Sequence, residues 1–506
     1  MSRTAEALKT CPRRSLWPTV AGVAGHDLSL NNLYGEKTVD HKLRRIWTLA
    51  LALFALSAVA ALAADAAPEP FRDGDRVCFI GDSITHGGNY HSFIFLFYAT
   101  RFPERQIEVF NCGISGDSAG GAVRRFDWDI AAHEPTVSTI MLGMNDVNRG
   151  LYGKDKPDEA NLKQRQAAID GHVANMRKLA EALRGKGSRL IFITPSIYDQ
   201  TATLATENLF GVNDALGVCG AQARALAAEF GGSLVDFHGV MTRLNAEVQK
   251  ADPAATIVGK DRVHPGAMGH LVMAYVFLKA QGLSPYVSKT VIDAGSGKAV
   301  ETENVSLQEI AATPERVSFV SLEKALPFPL PAGAEGAVKL VPFMQDLDQQ
   351  VLSVTNLAPG AYELLIDDAA VGEYSTGDLA AGINLADNAK TPQYQQAKTV
   401  AAANDKRHAL IAGKLRSFAL TEIYLKGVKD LDLNDSAAVA KALTERIEKM
   451  KASGSPTAGY YEGQAKLYIA EKAKEADYRR DADAALSTMR TANRPAPHRF
   501  LLRKKP

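Results

Sequence analysis

"CFIGDSITHGG", residues 78–88, starts as an unbroken apolar run and stops abruptly at Gly81-Asp82-Ser83. Such a run, with no polar residue alternating, suits a strand buried on both faces. Its polar end allows two readings. Ser83 is a hydroxyl presented at a strand tip, or Asp-Ser is an ordinary capped turn, because both residues are preferred helix caps. The tripeptide alone is too short to choose between them.

Working outward, the same kind of apolar stretch recurs. Strands are expected within 76–81 (RVCFIG), 106–113 (QIEVFNCG), 136–143 (TVSTIMLG), 188–196 (SRLIFITPS) and 232–239 (GSLVDFHG). Helical stretches lie between and after them: "YHSFIFLFYATRF", "DEANLKQRQAAIDGHVANMRKLAEALRG", "VNDALGVCGAQARALAAEFG" and "GAMGHLVMAYVFLKAQG". Apolar strands alternating with amphipathic helices predict an α/β domain over 70–284, a doubly wound parallel sheet covered on both faces. In such sheets ligands and chemistry collect beyond the carboxyl ends of the strands.

Four polar blocks fall at those places, in order: Gly81-Asp82-Ser83, "NCGISGDS" (111–118), "GMND" (143–146) and "DRVHP" (261–265). Serine hydrolysis needs a hydroxyl nucleophile, an imidazole base, a group that orients the imidazole, and donors for the oxyanion. Ser83 supplies the first and His264 the second. Asp261, three residues before His264, reaches back within one turn to its Nδ1. The N–H groups of Ser83 and Gly116 and the Asn145 amide are the candidate oxyanion donors. Each block alone is more simply a turn, a cap or a satisfied histidine; their ordered coincidence is what points to a site.

Together the blocks resemble those of the SGNH, or GDSL-type, hydrolase superfamily. "GDSIT" matches its nucleophile block, "NCGISGDS" the N-x-x-x-S-G-D form of its glycine block, "GMND" the G-x-N-D block and "DRVHP" the D-x-x-H-P block. The resemblance covers roughly 74–284, under half of the chain. It implies a flavodoxin-like sheet, a catalytic Ser83–His264–Asp261 triad and an oxyanion hole from Ser83, Gly116 and Asn145, with Gly113 serving a tight turn instead. It also implies ester hydrolysis through an acyl-serine intermediate, with no cofactor.

Neighbouring residues are less decided. Tyr198 and Asp199, in "TPSIYDQT" after the fourth strand, sit where substrate-contacting loops belong and are possible substrate-binding residues. His86, Tyr90 and His91 fit either the pocket or simple packing, and His270 fits packing or solvation on the last helix of the domain. No metal-ligand spacing is visible. "DAGSGKAV" (293–300) fails as a phosphate loop because Ile292 and Ala299 stand where Gly and Ser or Thr are required; it reads as a turn.

Beyond 284 the pattern changes. Residues 285–390 read as a β-rich segment, with "YELLIDDAAVGEYS" a hairpin across Asp367-Asp368. Residues 391–506 read as two or three antiparallel helices and a basic tail, "HRFLLRKKP", taken as a solvated charged end.

Residues 42–64 carry Lys42, Arg44 and Arg45, then an apolar run, then Ala61-Leu62-Ala63, in the order of a secretory signal peptide. Left uncleaved, the run is long enough to anchor in a membrane. Residues 1–38 precede the usual place of such a segment, as a translation start at Val39 would explain. Export would place the protein in the periplasm or outside the cell, where Cys78, Cys112 and Cys219 form no disulfide framework; Cys78 and Cys112, in or beside apolar strands, read as buried thiols. With 58 Lys and Arg against 57 acids, the net charge of +1 gives no electrostatic case for a nucleic-acid partner.

The resulting expectation is an exported serine esterase acting on a small-molecule or polysaccharide ester. Family analogy leans toward a carbohydrate O-deacetylase. The alternatives are a lysophospholipase- or thioesterase-type acyl hydrolase, or a catalytically inactive surface or cell-wall binding protein.

Overall fold

In the computed structural model, which describes residues 66–154 and 156–506, the opening stretch supplies an interior strand of a five-stranded parallel sheet. β1 (Arg76–Gly81) lies between β2 (Glu108–Gly113) and β3 (Val137–Met141), with β4 (Arg189–Ile193) and β5 (Ser233–Val235) beyond, in the order β2-β1-β3-β4-β5. This is the flavodoxin-like order of a doubly wound sheet, with the reversal of winding at β1 and β3. Residues 42–64, expected to be a signal peptide, lie outside the described residues.

Register places the chemistry. Gly81 pairs with both Gly113 and Met141, so β1, β2 and β3 run out at one level. Helix α1 (Ser83–Gly87) then starts immediately, and Asp82 caps it by accepting the Ile84 N–H at 3.0 Å. The approach is too close for side chains. A Cβ on Gly113 would stand 2.2 Å from the His86 nitrogen, and one on Gly81 would stand 2.1 Å from Thr85 Oγ1. Gly113 thus admits a helix rather than making the turn expected of it.

Helix α2 (Asn89–Arg101) is buried on nearly every side, from Tyr90 to Tyr98 without a break. A helix apolar all round needs cover all round. One face meets the sheet and α6 (Ala267–Ala280), which follows α3 (Glu159–Gly185), α4 (Val212–Phe230) and α5 (Phe237–Ala251). The far face is covered by the C-terminal helices. Helix α7 (Pro392–Leu410) continues through Ile411–Leu415 into α8 (Arg416–Leu425), and α9 (Ser436–Ala452), α10 (Ala458–Glu471) and α11 (Glu475–Ala492) pack around them. Asn404 Nδ2 donates to Ser92 Oγ at 2.8 Å and Asn493 Nδ2 to the Ala99 carbonyl at 2.8 Å, so the contact is polar as well as apolar.

The strands that follow α6, with the C-terminal strand, form a two-sheet layer. One sheet runs β13-β10-β6-β7 and the other β12-β11-β14-β9-β8, built from β6 (Tyr286–Asp293), β7 (Lys298–Glu303), β8 (Val305–Thr313), β9 (Arg316–Glu323), β10 (Gln349–Thr355), β11 (Ala361–Ile366), β12 (Ala369–Ser375), β13 (Ile383–Asn384) and β14 (His498–Lys504). Ile292, Val354, Phe319 and Phe500 fill the space between the sheets. "DAGSGKAV" is the β6–β7 hairpin turn, and Asp367 and Asp368 close the β11–β12 hairpin with φ of 48° and 65°.

The basic tail departs from its expected role as a solvated end. It is β14, the middle strand of its sheet, hydrogen-bonded to β9 on one side and β11 on the other. Phe500 and Leu502 point inward while Arg499 and Arg503, on the alternate positions, face solvent, so the arginines that suggested a free tail lie on the outer face of a strand. The described residues form one compact unit.

Candidate active site

Ser83 stands at the tip of β1 as the first residue of α1. Its Oγ lies 2.7 Å from His264 Nε2, and His264 Nδ1 lies 2.5 Å from Asp261 Oδ2. The other Asp261 oxygen accepts the Val263 and His264 N–H groups at 3.1 and 3.0 Å. Partial burial pushes the Asp261 carboxyl up, but these hydrogen bonds outweigh it and hold the group below the usual carboxylate range. A permanently ionised Asp261 fixes the proton on Nδ1 and leaves Nε2 free to accept from Ser83. The pair is open to solvent, with side-chain exposures of 48% for His264 and 53% for Asp261.

The loops after β2 and β3 meet beside Ser83. Gly116 takes φ of 78°, a conformation that favours glycine, and is exposed at the loop tip. Asn145 Nδ2 donates to the Asp117 carbonyl at 2.8 Å, which ties the two candidate oxyanion loops together. Behind them the Asp146 carboxylate accepts the Ala119 N–H at 2.9 Å and faces His172 of α3 at 3.2 Å. Asp82, behind Ser83, is fully buried, and burial raises its carboxyl to about 6. The two readings of Asp-Ser are therefore compatible: Asp82 caps the helix and Ser83 faces the imidazole.

Such an arrangement can move a proton from a serine hydroxyl to an imidazole while N–H donors face a carbonyl oxygen. Among the described residues, no group of three or more His, Cys, Asp or Glu is placed to hold a metal ion.

A family model for the GDSL-like lipase/acylhydrolase family matches residues 79–272, which contain all four blocks. The acetylxylan esterase of Geobacillus stearothermophilus is 27% identical over 227 residues, covering 41% of this chain and 94% of that protein. The solved structure of a gut microbial diltiazem-metabolizing enzyme is 34% identical, covers 87% of this chain and 99% of its own, and superposes with a TM-score of 0.78. The chain belongs to the SGNH (GDSL-type) hydrolase superfamily. It is a serine ester hydrolase. At 87%, the shared fold of this SGNH hydrolase extends well past residue 272 into the appended layers.

The appended helices reach the site's scaffold. Arg416, the first residue of α8, grips Asp129 with two bonds (Nη1 to Oδ1, 2.6 Å; Nη2 to Oδ2, 2.9 Å) and donates from Nε to the Gly113 carbonyl at 3.1 Å. Arg125 joins Asp129 to Asp117, so a buried chain of ion pairs runs from α8 to the glycine loop. His86 bridges the same parts. Its Nδ1 accepts the Ser115 N–H at 3.2 Å and its Nε2 donates to the Ala412 carbonyl at 3.2 Å. That tautomer needs a neutral ring, and burial lowers His86 to about 3.

Several residues singled out in the sequence have packing roles. Tyr90 is buried and stacks on His270 at 6.2 Å, and His91 bonds the Thr85 carbonyl at 3.1 Å. Tyr198 and Asp199, expected as possible substrate contacts, are buried instead. The Tyr198 hydroxyl accepts the Leu209 N–H at 2.8 Å, and Asp199 accepts the Thr201 and Ala202 N–H groups at 3.0 and 2.9 Å. Their side chains are spent on folding the 198–209 loop, which in turn holds the catalytic one. Arg262, left-handed at φ of 69°, donates to the Asp199, Ala202, Leu204 and Thr206 carbonyls. Sequence reasoning passed over Arg262, although it sits inside the D-x-x-H block. Nothing local could have announced Arg416, which acts on residues some 300 positions away.

Proposed function

We propose that this SGNH hydrolase removes acetyl groups from a carbohydrate, with Ser83 as nucleophile, His264 as general base and acid, and Asp261 as the group that orients it. The observation that carries the proposal is the unbroken, solvent-open chain from Ser83 Oγ through His264 to Asp261, at 2.7 and 2.5 Å, with the Gly116 and Asn145 loops tied together after the neighbouring strands. The acetyl specificity draws support from the acetylxylan esterase relative.

In the first half-reaction Ser83 Oγ bonds to the ester carbon while its proton passes to His264 Nε2. The carbonyl electrons move onto oxygen, facing the Ser83 and Gly116 N–H groups and the Asn145 amide. A donor so aimed lowers the barrier by about 3–4 kcal/mol. The bond to the alcohol oxygen then breaks and His264 returns the proton to the departing alcohol. Water repeats the sequence in reverse, releasing the acid and restoring Ser83.

The segment 42–64 would export the enzyme, placing it where polymeric or oligomeric glycans are met. Two assays test the reading together. Acetate release from acetylated xylo-oligosaccharides is expected, along with a preference for p-nitrophenyl acetate over the octanoate. A preference for the octanoate, with no acetate released from the glycans, would replace the deacetylase by a lipid acyl hydrolase.

A further inference from the structure

The glycine loop has a neighbour that lies outside the matched family segment. Helix α10 begins with Tyr460 and Tyr461 close to its N-terminus and rests against that loop. The Tyr460 side chain lies beside that of Ser115. The Tyr461 hydroxyl is the one group a Gly116 Cβ would meet, at 3.2 Å, which puts it within about 5 Å of the Gly116 Cα. Its ring is not loose. The Arg446 guanidinium of α9 lies 4.6 Å from the Tyr461 ring centre and 4.1 Å from that of Tyr424, and such cation–ring contacts favour a fixed stack.

The position along the sheet gives this tyrosine a side of the reaction. Gly116 follows β2, the edge strand, and Ser83 follows β1 next to it. His264 belongs to a loop bound through Arg262 to the segment after β4, on the opposite flank. To receive its proton the leaving alcohol must lie against His264 Nε2. With the carbonyl oxygen in the hole and the alcohol on the imidazole flank, the acyl substituent is left to point toward the β2 flank, where Tyr461 stands.

We infer that Tyr461, supplied by the C-terminal helices, walls the acyl subsite and is a specificity-determining residue that restricts this esterase to short acyl groups. The inference rests on Ser83 being the nucleophile. Tyr461 fills the space beside Gly116 that a longer acyl chain would need, and Arg446 keeps the ring from swinging aside.

The test is the ratio of kcat/KM for p-nitrophenyl hexanoate to that for the acetate, measured for the wild type, Tyr461→Phe, Tyr461→Leu and Tyr461→Ala. The Phe variant, which keeps the ring and loses only the hydroxyl beside Gly116, is expected to raise the ratio least. Ala should raise it by about tenfold or more, since a methylene admitted to or excluded from a pocket is worth about tenfold or more, with Leu in between. A common factor on both esters across the Leu and Ala variants would mean that Tyr461 only supports the fold, and would overturn the inference; so would a wild type that prefers hexanoate. Ser83→Ala separates the underlying reading. If it retains turnover, the nucleophile assignment has failed; if it is inactive while the ratios stay flat, the acyl wall alone has failed.

Discussion

Replacing Arg416 with methionine keeps most of the side chain's length and removes its charge. Asp129 would lose two of its bonds and keep Arg125, and the Gly113 carbonyl would lose its donor. Removing one partner of a buried ion pair costs about 3–5 kcal/mol, because the other charge stays buried. With a urea dependence of about 3 kcal/mol per molar, the unfolding midpoint should fall by about 1–1.7 M. Trp128, adjacent to Asp129 and the only tryptophan after Ala64, reports the transition by fluorescence. Acidity adds a second dimension. Burial raises the Asp129 carboxyl, but Arg416 and Arg125 outweigh it and hold the group far below the ordinary carboxylate value. A depressed folded-state pKa stabilises above the unfolded value, near 4, and that stability is lost as the pH falls toward the folded value. The gap between wild type and Arg416→Met should therefore be full at pH 7 and narrow steadily below about pH 4. A midpoint shift under about 0.3 M, or a gap independent of pH between 7 and 3, would refute the role given to this network.

Other outcomes follow from the same geometry. Asp261→Asn leaves a hydrogen-bonding side chain but favours the wrong imidazole tautomer, so kcat should fall about ten-thousandfold with little change in KM, by steady-state kinetics on p-nitrophenyl acetate. Deleting residues 497–506 withdraws β14 from the middle of its sheet and exposes the partners of Phe500 and Leu502. At about 1.5–3 kcal/mol per buried apolar side chain, the thermal melt should move down sharply or soluble protein should be lost; an unchanged melt would return the tail to a solvated end. Arg262→Leu breaks the ties between the catalytic and 198–209 loops, so kcat should drop while β-layer stability is kept, read by kinetics beside a melting curve.

Much of the catalytic half was legible because its signals are local. β1 and β3 are buried on both faces, and their ends fall close to where the polar blocks begin. β5 was harder. The stretch 232–239 reads as one strand, yet only Ser233–Val235 are extended, because Asp236 turns inward to accept the Gly239 N–H at 2.9 Å and starts α5. The four blocks could be read since each carries its chemistry within a few residues. Tyr198 and Asp199 misled for a physical reason: a polar side chain after a strand looks alike whether it faces a substrate or its own loop. In the tail, four basic residues mask a strand period: Phe500 and Leu502 alternate with Arg499 and Arg503 as a strand requires. What stayed hidden is what the appended helices do. Asp129–Arg416 and Gly116–Tyr461 join residues hundreds of positions apart, and no local pattern in either partner names the other.

The central claim is that Ser83 is the reacting hydroxyl, and covalent labelling tests it most directly. A serine-directed fluorophosphonate, followed by peptide mapping with mass spectrometry, should place one adduct on the peptide containing Ser83, and Asp261→Asn should label far more slowly. Ser83→Ala should take no label and lose turnover of p-nitrophenyl acetate. A stoichiometric adduct on another residue, or a Ser83→Ala variant that still hydrolyses the ester at the wild-type rate, would contradict the account.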